Sequence, residues 1–240
     1  MPTPLGAASL LPGLTVVLPC RDERDNLAAS VAEAVAAGRR SAHRFEVIVV
    51  DDGSRDGTDA IAARLARRTP ELRVVTHPEG RGYGAAVRSG IDAATMPWIL
   101  LTDADLQFDL RELDLFVPKT GSADLVVGRR GRRADPFGRR LAGASWNVLV
   151  RRLFRLPVRD VDCAFKLMRA SVVQRLELTA DGAMVSTELL GRALAAGATV
   201  RELEVTHRPR AAGEQSGASP RVVARALREL AALAPGLRSA

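Results

Sequence analysis

The sequence predicts a single α/β domain built on a mainly parallel sheet with helices on both faces. From residue 14 onward, short β-branched segments alternate with longer amphipathic segments, which is the pattern of repeated βα units. The segment Val47–Val50 is continuously apolar, as expected for a strand buried on both faces. A chain of 240 residues leaves little room for a second core. We therefore assign residues 1–13 to an N-terminal tail and residues 14–235 to one domain.

The first half of the domain shows this alternation most clearly. Its predicted strands are Leu14–Leu18, Phe45–Val50, Leu72–Thr76 and Trp98–Leu101. Its predicted helices are Arg24–Ala37, Thr58–Arg68 and Tyr83–Ala94. Ser54 and Asp56 precede the second of these helices and are residue types that cap helix N-termini.

The second half is less regular. We predict helices at Leu110–Val117, Leu141–Phe154, Val185–Ala196 and Pro220–Leu233, with strands at Asp124–Val127 and Thr199–Val205. The segment Arg129–Arg140 has too little apolar content for a core and is predicted to be a mobile loop, a candidate lid over phosphates or a solvated basic loop. The short motif Asp160–Met168 receives no secondary-structure assignment.

Composition excludes several classes of protein. The net charge of +7 favours anionic partners, but the arginine-rich bias also explains it, and the sign alone selects no partner. With 4% aromatic residues and no helix-turn-helix or zinc pattern, we do not expect a nucleic-acid partner. Cys20 and Cys163 lack a CxxC pattern, and no stretch reaches the ~18 apolar residues of a membrane span, so we expect a cytoplasmic protein.

Acidic residues follow several of the predicted strands. The first strand is followed by Asp22 and Glu23, the second by Asp51 and Asp52, and the fourth by the Asp103–Asp105 turn. Ligands of open parallel sheets bind at the carboxyl ends of the strands, so these carboxylates are expected to share one edge. Like charges so close together are costly unless a cation or hydrogen-bond donors compensate.

The Asp103-Ala104-Asp105 turn predicts a divalent metal site. Carboxylates two residues apart in a turn can face one point, and Gln107 adds a further oxygen. Hard oxygen ligands of this kind suit Mg²⁺ or Mn²⁺ and leave coordination positions for phosphates. An isolated acidic pair of this kind is more often a solvated turn. Its position after a buried strand, beside a second acidic turn, favours the metal.

The loop Gly80–Ala85 has two interpretations. It is a flexible glycine-rich loop before a helix, and it is a candidate anion cradle with Arg81 as the counter-charge. It also matches the GxGxxA fingerprint of dinucleotide-binding oxidoreductases. The fingerprint normally follows the first strand of its unit, whereas here it follows the third, and it leaves the acids after the second strand unexplained.

The ordered motifs together resemble family 2 glycosyltransferases, and among them the dolichyl- and polyprenyl-phosphate mannose and other hexose synthases. The resemblance runs from about Leu14 to Ser219. The motifs that carry it are Pro19-Cys20-Arg21-Asp22-Glu23, Asp51-Asp52-Gly53-Ser54-Arg55-Asp56-Gly57-Thr58, Gly80-Arg81-Gly82 and Asp103-Ala104-Asp105-Leu106-Gln107. The resemblance implies a GT-A fold, which is Rossmann-like, and an inverting transfer of a hexose from a nucleotide sugar such as GDP-mannose or a UDP-hexose.

The resemblance also implies roles for individual residues. Those expected to bind the nucleotide sugar are Pro19, Arg21, Glu23, Asp51, Asp52, Gly80, Arg81, Asp103, Ala104 and Ser216. Asp103, Asp105 and Gln107 are expected to hold Mg²⁺ or Mn²⁺. The expected catalytic residues are Asp105, Arg129, Arg210 and Asp162. Asp162-Cys163-Ala164-Phe165-Lys166 occupies the place of the family's Asp-x-x-Gly-Phe-(Lys/Arg) element, with Ala164 where the family has glycine.

The acceptor implied by the resemblance is a polyprenyl phosphate. Such a phosphate is ionised near neutral pH, since its second pKa is about 6, and requires no strong general base. A sugar or other hydroxyl acceptor is the alternative, and for it Asp162 or Glu188 is the candidate base. The helix Leu141–Phe154 combines apolar residues with arginines, which allows either core packing or peripheral contact with an anionic membrane.

Overall fold

The computed structural model describes residues 10–131, 137–210 and 225–233 of the chain. Within them, seven strands form one sheet in the order β3-β2-β1-β4-β6-β5-β7. The strands are β1 Leu14–Cys20, β2 Phe45–Asp51, β3 Leu72–Thr76, β4 Trp98–Leu101, β5 Leu125–Arg130, β6 Lys166–Arg169 and β7 Val200–Val205. The pairs β1–β2, β1–β4, β2–β3 and β5–β7 are parallel, whereas β6 is antiparallel to both of its neighbours. The predicted mainly parallel sheet is confirmed.

Helices cover both faces of this sheet. They are α1 Leu27–Ser41, α2 Thr58–Ala66, α3 Tyr83–Ala93, α4 Leu113–Phe116, α5 Phe137–Phe154, α6 Ala170–Val173 and α7 Val185–Ala195. Two 3-10 turns, Leu110–Glu112 and Val117–Gly121, flank α4, and residues 225–233 are helical, here named α8. No helix in the described residues has both the length and the apolar character needed to cross a membrane.

The sheet separates two cores because consecutive strand residues point to opposite faces. In β1, Val16 packs on the side of α1 and α2, and Val17 packs on the side of α3, α5 and α7. Both side chains are fully buried. Burying an aliphatic side chain of this size contributes about 1.5–3 kcal/mol, so the continuous apolar strands stabilise both layers at once.

Two predicted segments, the first helix and the arginine-rich loop, have different boundaries in the structure. Helix α1 begins at Leu27 rather than Arg24, because the amide of Arg24 donates to Asp56 Oδ2 at 3.0 Å and is held by the neighbouring turn. The predicted loop Arg129–Arg140 is wrong at both ends. Strand β5 continues to Arg130 beside β7, and α5 begins at Phe137. Residues 132–136 of that loop lie outside the described residues.

The sequence prediction missed strand β6. It is only four residues long and begins with Lys166, a charged residue that is fully buried between β4 and β5. Its ammonium group donates to the carbonyl of Cys163 and lies 3.4 Å from Ser186 Oγ. The strand therefore tolerates a buried charge because backbone and hydroxyl oxygens solvate it, which an apolar-pattern search does not register.

Helix α3 approaches β1 closely at Gly90. A Cβ atom placed on Gly90 would lie 2.3 Å from Cγ1 of Val17, well inside van der Waals contact. The absence of a side chain at this position sets the distance between the helix and the centre of the sheet. The helix also carries Tyr83 at its first turn, so this packing positions the site described below.

We expect Gly90→Val to lower the free energy of unfolding by about 1–3 kcal/mol, because overpacking forces the helix away from β1. Urea denaturation of the full chain measures the loss. The matched control is Gly121→Val, since nothing lies within 4 Å of a Cβ atom at Gly121. Equal unfolding free energies for the two variants would contradict the close approach of α3.

Candidate active site

The polar segments converge at one edge of the sheet. The register pairs Cys20 of β1 with Asp51 of β2, and Leu101 of β4 with Lys166 of β6. Lys166 also pairs with Val127, close to the end of β5. Because β6 runs antiparallel to its neighbours, its first residue lies at the edge where the parallel strands end. The turns that follow β1, β2 and β4, and the last residues of β5, therefore border one site.

The Asp103–Asp105 turn has a constrained backbone. Leu106 lies in the left-handed region with φ of 62°, which is unfavourable for a residue with a side chain. Asp105 compensates by accepting a hydrogen bond from the amide of Gln107 at 3.1 Å, and its side chain is almost buried. This turn presents the second carboxylate of the pair at the strand end.

Asp103 is surrounded by groups that determine its charge. Burial and the neighbouring carboxylate of Asp105 raise the pKa of Asp103, while a hydrogen bond from the Tyr83 hydroxyl and the charges of Lys166 and Arg130 lower it. The raising effects are the larger. A divalent cation would offset this cost by stabilising both carboxylates in their ionised form.

The two carboxylates fit a magnesium-type site. In the described residues, no group of three or more His, Cys, Asp or Glu side chains is placed to hold a metal ion. Mg²⁺ and the chemically similar Mn²⁺ need no such cage, because they are commonly held by one or two carboxylates together with substrate phosphates. Asp103 and Asp105 supply that number of hard oxygen ligands.

Gln107 is held near the turn by a different contact. Its side-chain amide donates to the carbonyl of Arg208 at 3.1 Å, and its own backbone carbonyl accepts from the Arg208 amide at 2.7 Å. These bonds attach the segment after β7 to the Asp103–Asp105 turn. The role of Gln107 as a metal ligand stays a prediction.

Arg210 joins the ends of β1 and β4. Its guanidinium pairs with Glu23 through Nη2 and lies 3.8 Å from Asp105 Oδ2 through Nη1. Burial raises the pKa of Glu23, and the contacts with Asn26 and Arg210 offset only part of that effect. The structure thus brings Arg210 into the site, as predicted, across 187 residues of sequence from Glu23. Ser216 lies outside the described residues.

The two arginines at the end of β5 face different surroundings. Arg129, the predicted phosphate ligand, pairs with Glu204 at 2.5 Å and lies 3.9 Å from Glu202, both on β7. Arg130 forms a two-pronged ion pair with the buried Asp160, with both N–O distances 2.7 Å, and its charge reaches Asp103. Of these two arginines, Arg130 is the one whose charge lowers the pKa of Asp103, whereas the resemblance pointed to Arg129.

The side chain of Lys166 is buried, and its positive charge acts on Asp103. Burial lowers the pKa of Lys166, while Cys163, Asp162 and Asp160 act in the opposite direction and favour the charged amine. The negative charge of Asp162, which is predicted to be catalytic, therefore acts to raise the pKa of both Lys166 and Arg130.

Sequence analysis missed Tyr83, Arg130 and Lys166 as members of the site. Tyr83 is the only tyrosine of the chain, and Lys166 is one of its two lysines. Because tyrosine and lysine are rare in this chain, their positions could have indicated a function, but a search for motifs does not take this into account. The choice between Arg129 and Arg130 required knowledge of the side on which each residue of β5 faces.

The acidic turn after β2 is largely used within the protein. Asp51 accepts hydrogen bonds from the amide and hydroxyl of Ser54. Asp52 accepts from the amides of Arg81 and Gly82, each at 2.8 Å, and its Oδ1 lies 2.7 Å from His77 Nδ1. Although burial raises the pKa of Asp52, these hydrogen bonds outweigh it and lower the pKa. The predicted anion cradle exists, and the anion that it holds is the Asp52 carboxylate.

Arg21 lies over the glycine-rich loop. A Cβ atom on Gly80 would lie 2.1 Å from its guanidinium, and Arg21 Nη1 is 3.9 Å from Asp52 Oδ2. Half of the Arg21 side chain is exposed, so it can meet a ligand at this rim. By contrast, Pro19 and Ala104 are buried, and the Ala104 carbonyl accepts from Ser30 Oγ at 2.7 Å. Both contribute backbone rather than reactive side chains.

Glu188 is not placed to act as a base. It is fully buried in α7 and accepts hydrogen bonds from the amides of Thr179 and Ala180, from the Thr179 hydroxyl and from Arg192. Its oxygens organise the segment before the helix. The expectation that Glu188 takes a proton from an acceptor is therefore wrong.

The dinucleotide interpretation of the Gly80–Ala85 loop also fails on geometry. A Cβ atom on Gly82 or Gly84 would lie 2.4 or 2.3 Å from the carbonyl oxygens of Asp181 and Ala180 respectively. The glycines thus permit close packing against the segment before α7. This packing leaves no open cradle for a dinucleotide pyrophosphate along the loop.

Comparisons with known proteins identify the family of the chain. The model of glycosyl transferase family 2 matches residues 15–177. An uncharacterized glycosyltransferase of Mycobacterium tuberculosis is 37% identical over 205 residues, covering 84% of this chain and 88% of that protein. The dodecaprenyl-phosphate galacturonate synthase of Rhizobium johnstonii is 33% identical over 172 residues, covering 70% of this chain and 51% of that protein.

Solved structures show the same fold. Glucosyl-3-phosphoglycerate synthase from Mycobacterium tuberculosis, in complex with Mn²⁺, UDP and glucosyl-3-phosphoglycerate, has a TM-score of 0.67 at 18% identity. The match covers 94% of this chain and 77% of that one. At this identity the likeness concerns the fold alone, and it confirms the predicted GT-A architecture. Since the family model spans most of the domain and a relative of 37% identity is also named a glycosyltransferase, the chain belongs to glycosyl transferase family 2.

Proposed function

We propose that this enzyme transfers a hexose, with inversion, from a nucleoside diphosphate sugar to a polyprenyl phosphate. The observation that carries the proposal is the convergence of the Asp103 and Asp105 carboxylates with Arg210 and Arg130 at one sheet edge. Paired acids with adjacent arginines suit a diphosphate and its metal ion. The similarity to a dodecaprenyl-phosphate galacturonate synthase supports a lipid phosphate as the acceptor.

The metal in this proposal is Mg²⁺ or Mn²⁺, held by Asp103 and Asp105 with Gln107 beside them. Structures of the same fold in complex with Mn²⁺ support this choice. When bound, the ion neutralises charge on the departing nucleoside diphosphate. The Tyr83 hydroxyl orients the Asp103 carboxylate, and the amide of Gln107 orients that of Asp105.

The donor, GDP-mannose or a UDP-hexose, lies along the rim formed by the first two acidic turns and the glycine-rich loop. The residues proposed to line this subsite are Pro19, Arg21, Glu23, Asp51, Asp52, Gly80, Arg81, Asp103, Ala104 and Ser216. Arg21 and Arg81 are exposed and available for direct contact, whereas Asp51 and Asp52 shape the backbone around the ligand.

Arginines stabilise the leaving group. Arg210 already bridges Glu23 and Asp105, so it can donate to a phosphate placed beside Asp105 without crossing the site. Arg129 keeps its predicted role at the same phosphates as a proposal, and to contact them it would have to release its pair with Glu204. Charge stabilisation of this kind is commonly the largest contribution that a protein makes to group transfer.

A phosphate acceptor suits the acid–base groups of the site. Its oxygen attacks the anomeric carbon while the bond to the nucleoside diphosphate breaks, and no proton has to be removed when the phosphate is already ionised. A hydroxyl acceptor would require a base, for which Asp162 is the remaining candidate. The assay below decides between these two classes of acceptor.

Helix α5 offers a surface for peripheral contact with the membrane that holds a lipid acceptor. Its inner side packs into the core through Val150 and Phe154, whereas Val148 and Leu149 are 43% and 48% exposed. Residues 137–159 contain six arginines and no acidic residue. An apolar pair beside cationic residues fits an anionic lipid surface.

The same helix is connected to the proposed site. Asn147 accepts a hydrogen bond from the amide of Val161 at 2.8 Å, and Val161 separates Asp160 from Asp162. A membrane that contacts the outer side of α5 would therefore lie one helix diameter from the segment that carries Asp162. We place the enzyme in the cytoplasm, at the membrane face.

The proposal is tested by transfer of radiolabelled sugar from a panel of GDP- and UDP-sugars to undecaprenyl phosphate in the presence of Mn²⁺ or Mg²⁺. Product should form in the organic phase only with the metal. Asp105→Asn should lower kcat/KM by about 100-fold or more while the melting temperature changes little. Transfer to 3-phosphoglycerate or a sugar hydroxyl, with none to the lipid phosphate, would overturn the proposed acceptor.

Arg130 and Arg129 provide a matched pair of variants. Arg130→Met removes the partner of the buried Asp160 and should lower the unfolding free energy by about 3 kcal/mol. Arg129→Met breaks only partly exposed contacts and should cost less than about 1 kcal/mol. Urea denaturation measures both. If Arg129 binds phosphates, its variant loses turnover despite near-native stability, and unchanged turnover would remove it from the mechanism.

Membrane contact is tested by co-sedimentation with phosphatidylcholine vesicles that contain or lack phosphatidylglycerol. We expect the wild type to bind the anionic vesicles and the double variant Val148→Ser/Leu149→Ser to bind about tenfold more weakly. Leu115→Ser is the control, because Leu115 is also exposed but lies on α4, which packs on the opposite face of the sheet. Equal binding by all three proteins would contradict the assigned surface.

A further inference from the structure

We infer that His77 is a positioning residue for the donor subsite, acting through Asp52 on the loop Gly80–Gly82. No motif in the sequence points to His77. The inference rests on the proposed function in one respect, that this loop borders the bound nucleotide. It adds a residue that contacts neither substrate nor metal and yet determines where Arg21 and Tyr83 lie.

The imidazole of His77 is held from two sides. The side chain is 5% exposed, Nδ1 lies 2.7 Å from Asp52 Oδ1, and Nε2 lies 2.9 Å from Ser89 Oγ on α3. The amide of His77 also donates to the Asp51 carbonyl at 2.9 Å. Both ring nitrogens are thus engaged, and the ring connects the end of β3 to the turn after β2 and to α3.

Asp52, which is oriented by His77, in turn determines the conformation of the loop Gly80–Gly82. Its two oxygens accept from the amides of Arg81 and Gly82, so the carboxylate plane sets the path of the backbone there. Gly82 has φ of 117°, a conformation that needs such support. Without the His77 donor, the buried carboxylate would lose one of its hydrogen bonds and would be free to rotate.

The loop borders the site at both of its ends. Arg21 packs over Gly80, and the residue after Gly82 is Tyr83, whose hydroxyl lies close enough to Asp103 to lower the pKa of that carboxyl. A displaced loop therefore moves a ligand-facing arginine and the hydroxyl that orients a proposed metal ligand. Loss of a group that orients a metal ligand without contacting the metal typically weakens metal binding by about tenfold or more.

The start of α3 has an independent anchor. The amide of Gly84 donates to the Asp181 carbonyl at 2.8 Å, and Gly90 packs against Val17. Loss of the His77 contact should therefore loosen the loop as far as Tyr83, the first residue of α3, and leave the helix from Gly84 onward in place. This separation distinguishes a positioning role from a role in overall stability.

Two reciprocal variants test the role. His77→Asn places an amide near the position of Nδ1 and keeps a donor for Asp52, whereas His77→Gln reaches toward Ser89 and loses that donor. We expect His77→Gln to weaken Mn²⁺-dependent binding of UDP or GDP by about tenfold, and His77→Asn to stay within about threefold of the wild type. Calorimetric titration of the full chain measures both. His43→Asn is the control, because His43 is exposed.

The second readout uses the only tyrosine of the chain. Protein labelled with ¹³C-tyrosine gives one ring signal, from Tyr83, and this signal should shift in His77→Gln but remain near its wild-type position in His77→Asn. Equal nucleotide affinities and equal Tyr83 signals in the two variants would overturn the inference. So would a fall in melting temperature for His77→Gln with no change in affinity.

These measurements remain decisive if the proposed function fails. Binding of UDP or GDP requires no acceptor, so a wild type that binds nucleotide but transfers nothing to a lipid phosphate contradicts only the acceptor. If the wild type binds neither nucleotide, the proposed function is overturned, and the Tyr83 signal alone decides whether His77 sets the position of the loop.

Discussion

The compensation of negative charge at one sheet edge is the constraint on which the site depends. Parallel strands bring their carboxyl ends together, and here each of β1, β2 and β4 leads into a turn with carboxylates. Such a cluster is stable only if cations or donors face every member. Arg210 faces the acids after β1 and β4, and Arg130 and Lys166 face Asp103 from β5 and β6. The antiparallel strand β6 matters because its orientation puts the first residue, Lys166, at this edge.

The acidic residues divide into two groups. Asp52 and Glu188 have both oxygens engaged by nearby amides, hydroxyls and cationic or imidazole side chains, and Asp51 has its Oδ1 engaged by Ser54; these contacts determine the conformation of loops. Asp103 and Asp105 are compensated less completely, as the raised pKa of Asp103 shows. In a protein, incomplete compensation is a signature of a ligand site, because the missing interactions are those that the ligand supplies. At this sheet edge, the turn after β2 is held by internal hydrogen bonds, whereas the Asp103–Asp105 turn retains negative charge that is not fully compensated.

Much of the fold could be predicted because periodicity depends on local sequence. Strands β3 and β4 and the first residues of α2 and α3 match the expected positions. Side-chain partners could not be predicted, because they depend on distant residues: Arg210 meets Glu23, and His77 meets both Asp52 and Ser89. The buried Lys166 concealed a strand for the same reason, since a charge in the core is acceptable only when its solvating oxygens are known. Motifs predicted which strand ends carry the acids, but they could not distinguish Arg129, which faces Glu204, from Arg130, which faces Asp160.

Asp51 and Asp52 are hydrogen-bonded within the protein, and this limits which residues could change if the enzyme were to accept a different donor. A substitution at either carboxylate would disturb two loops at once, because Gly53 packs against Gly80 and Asp52 holds the next two amides. Arg21 and Arg81 are exposed at the same rim and can be exchanged at small structural cost. For the proposed nucleotide-sugar donor, altered selectivity for the base would therefore evolve most readily through such exposed side chains, while the acidic turn beneath them stays unchanged.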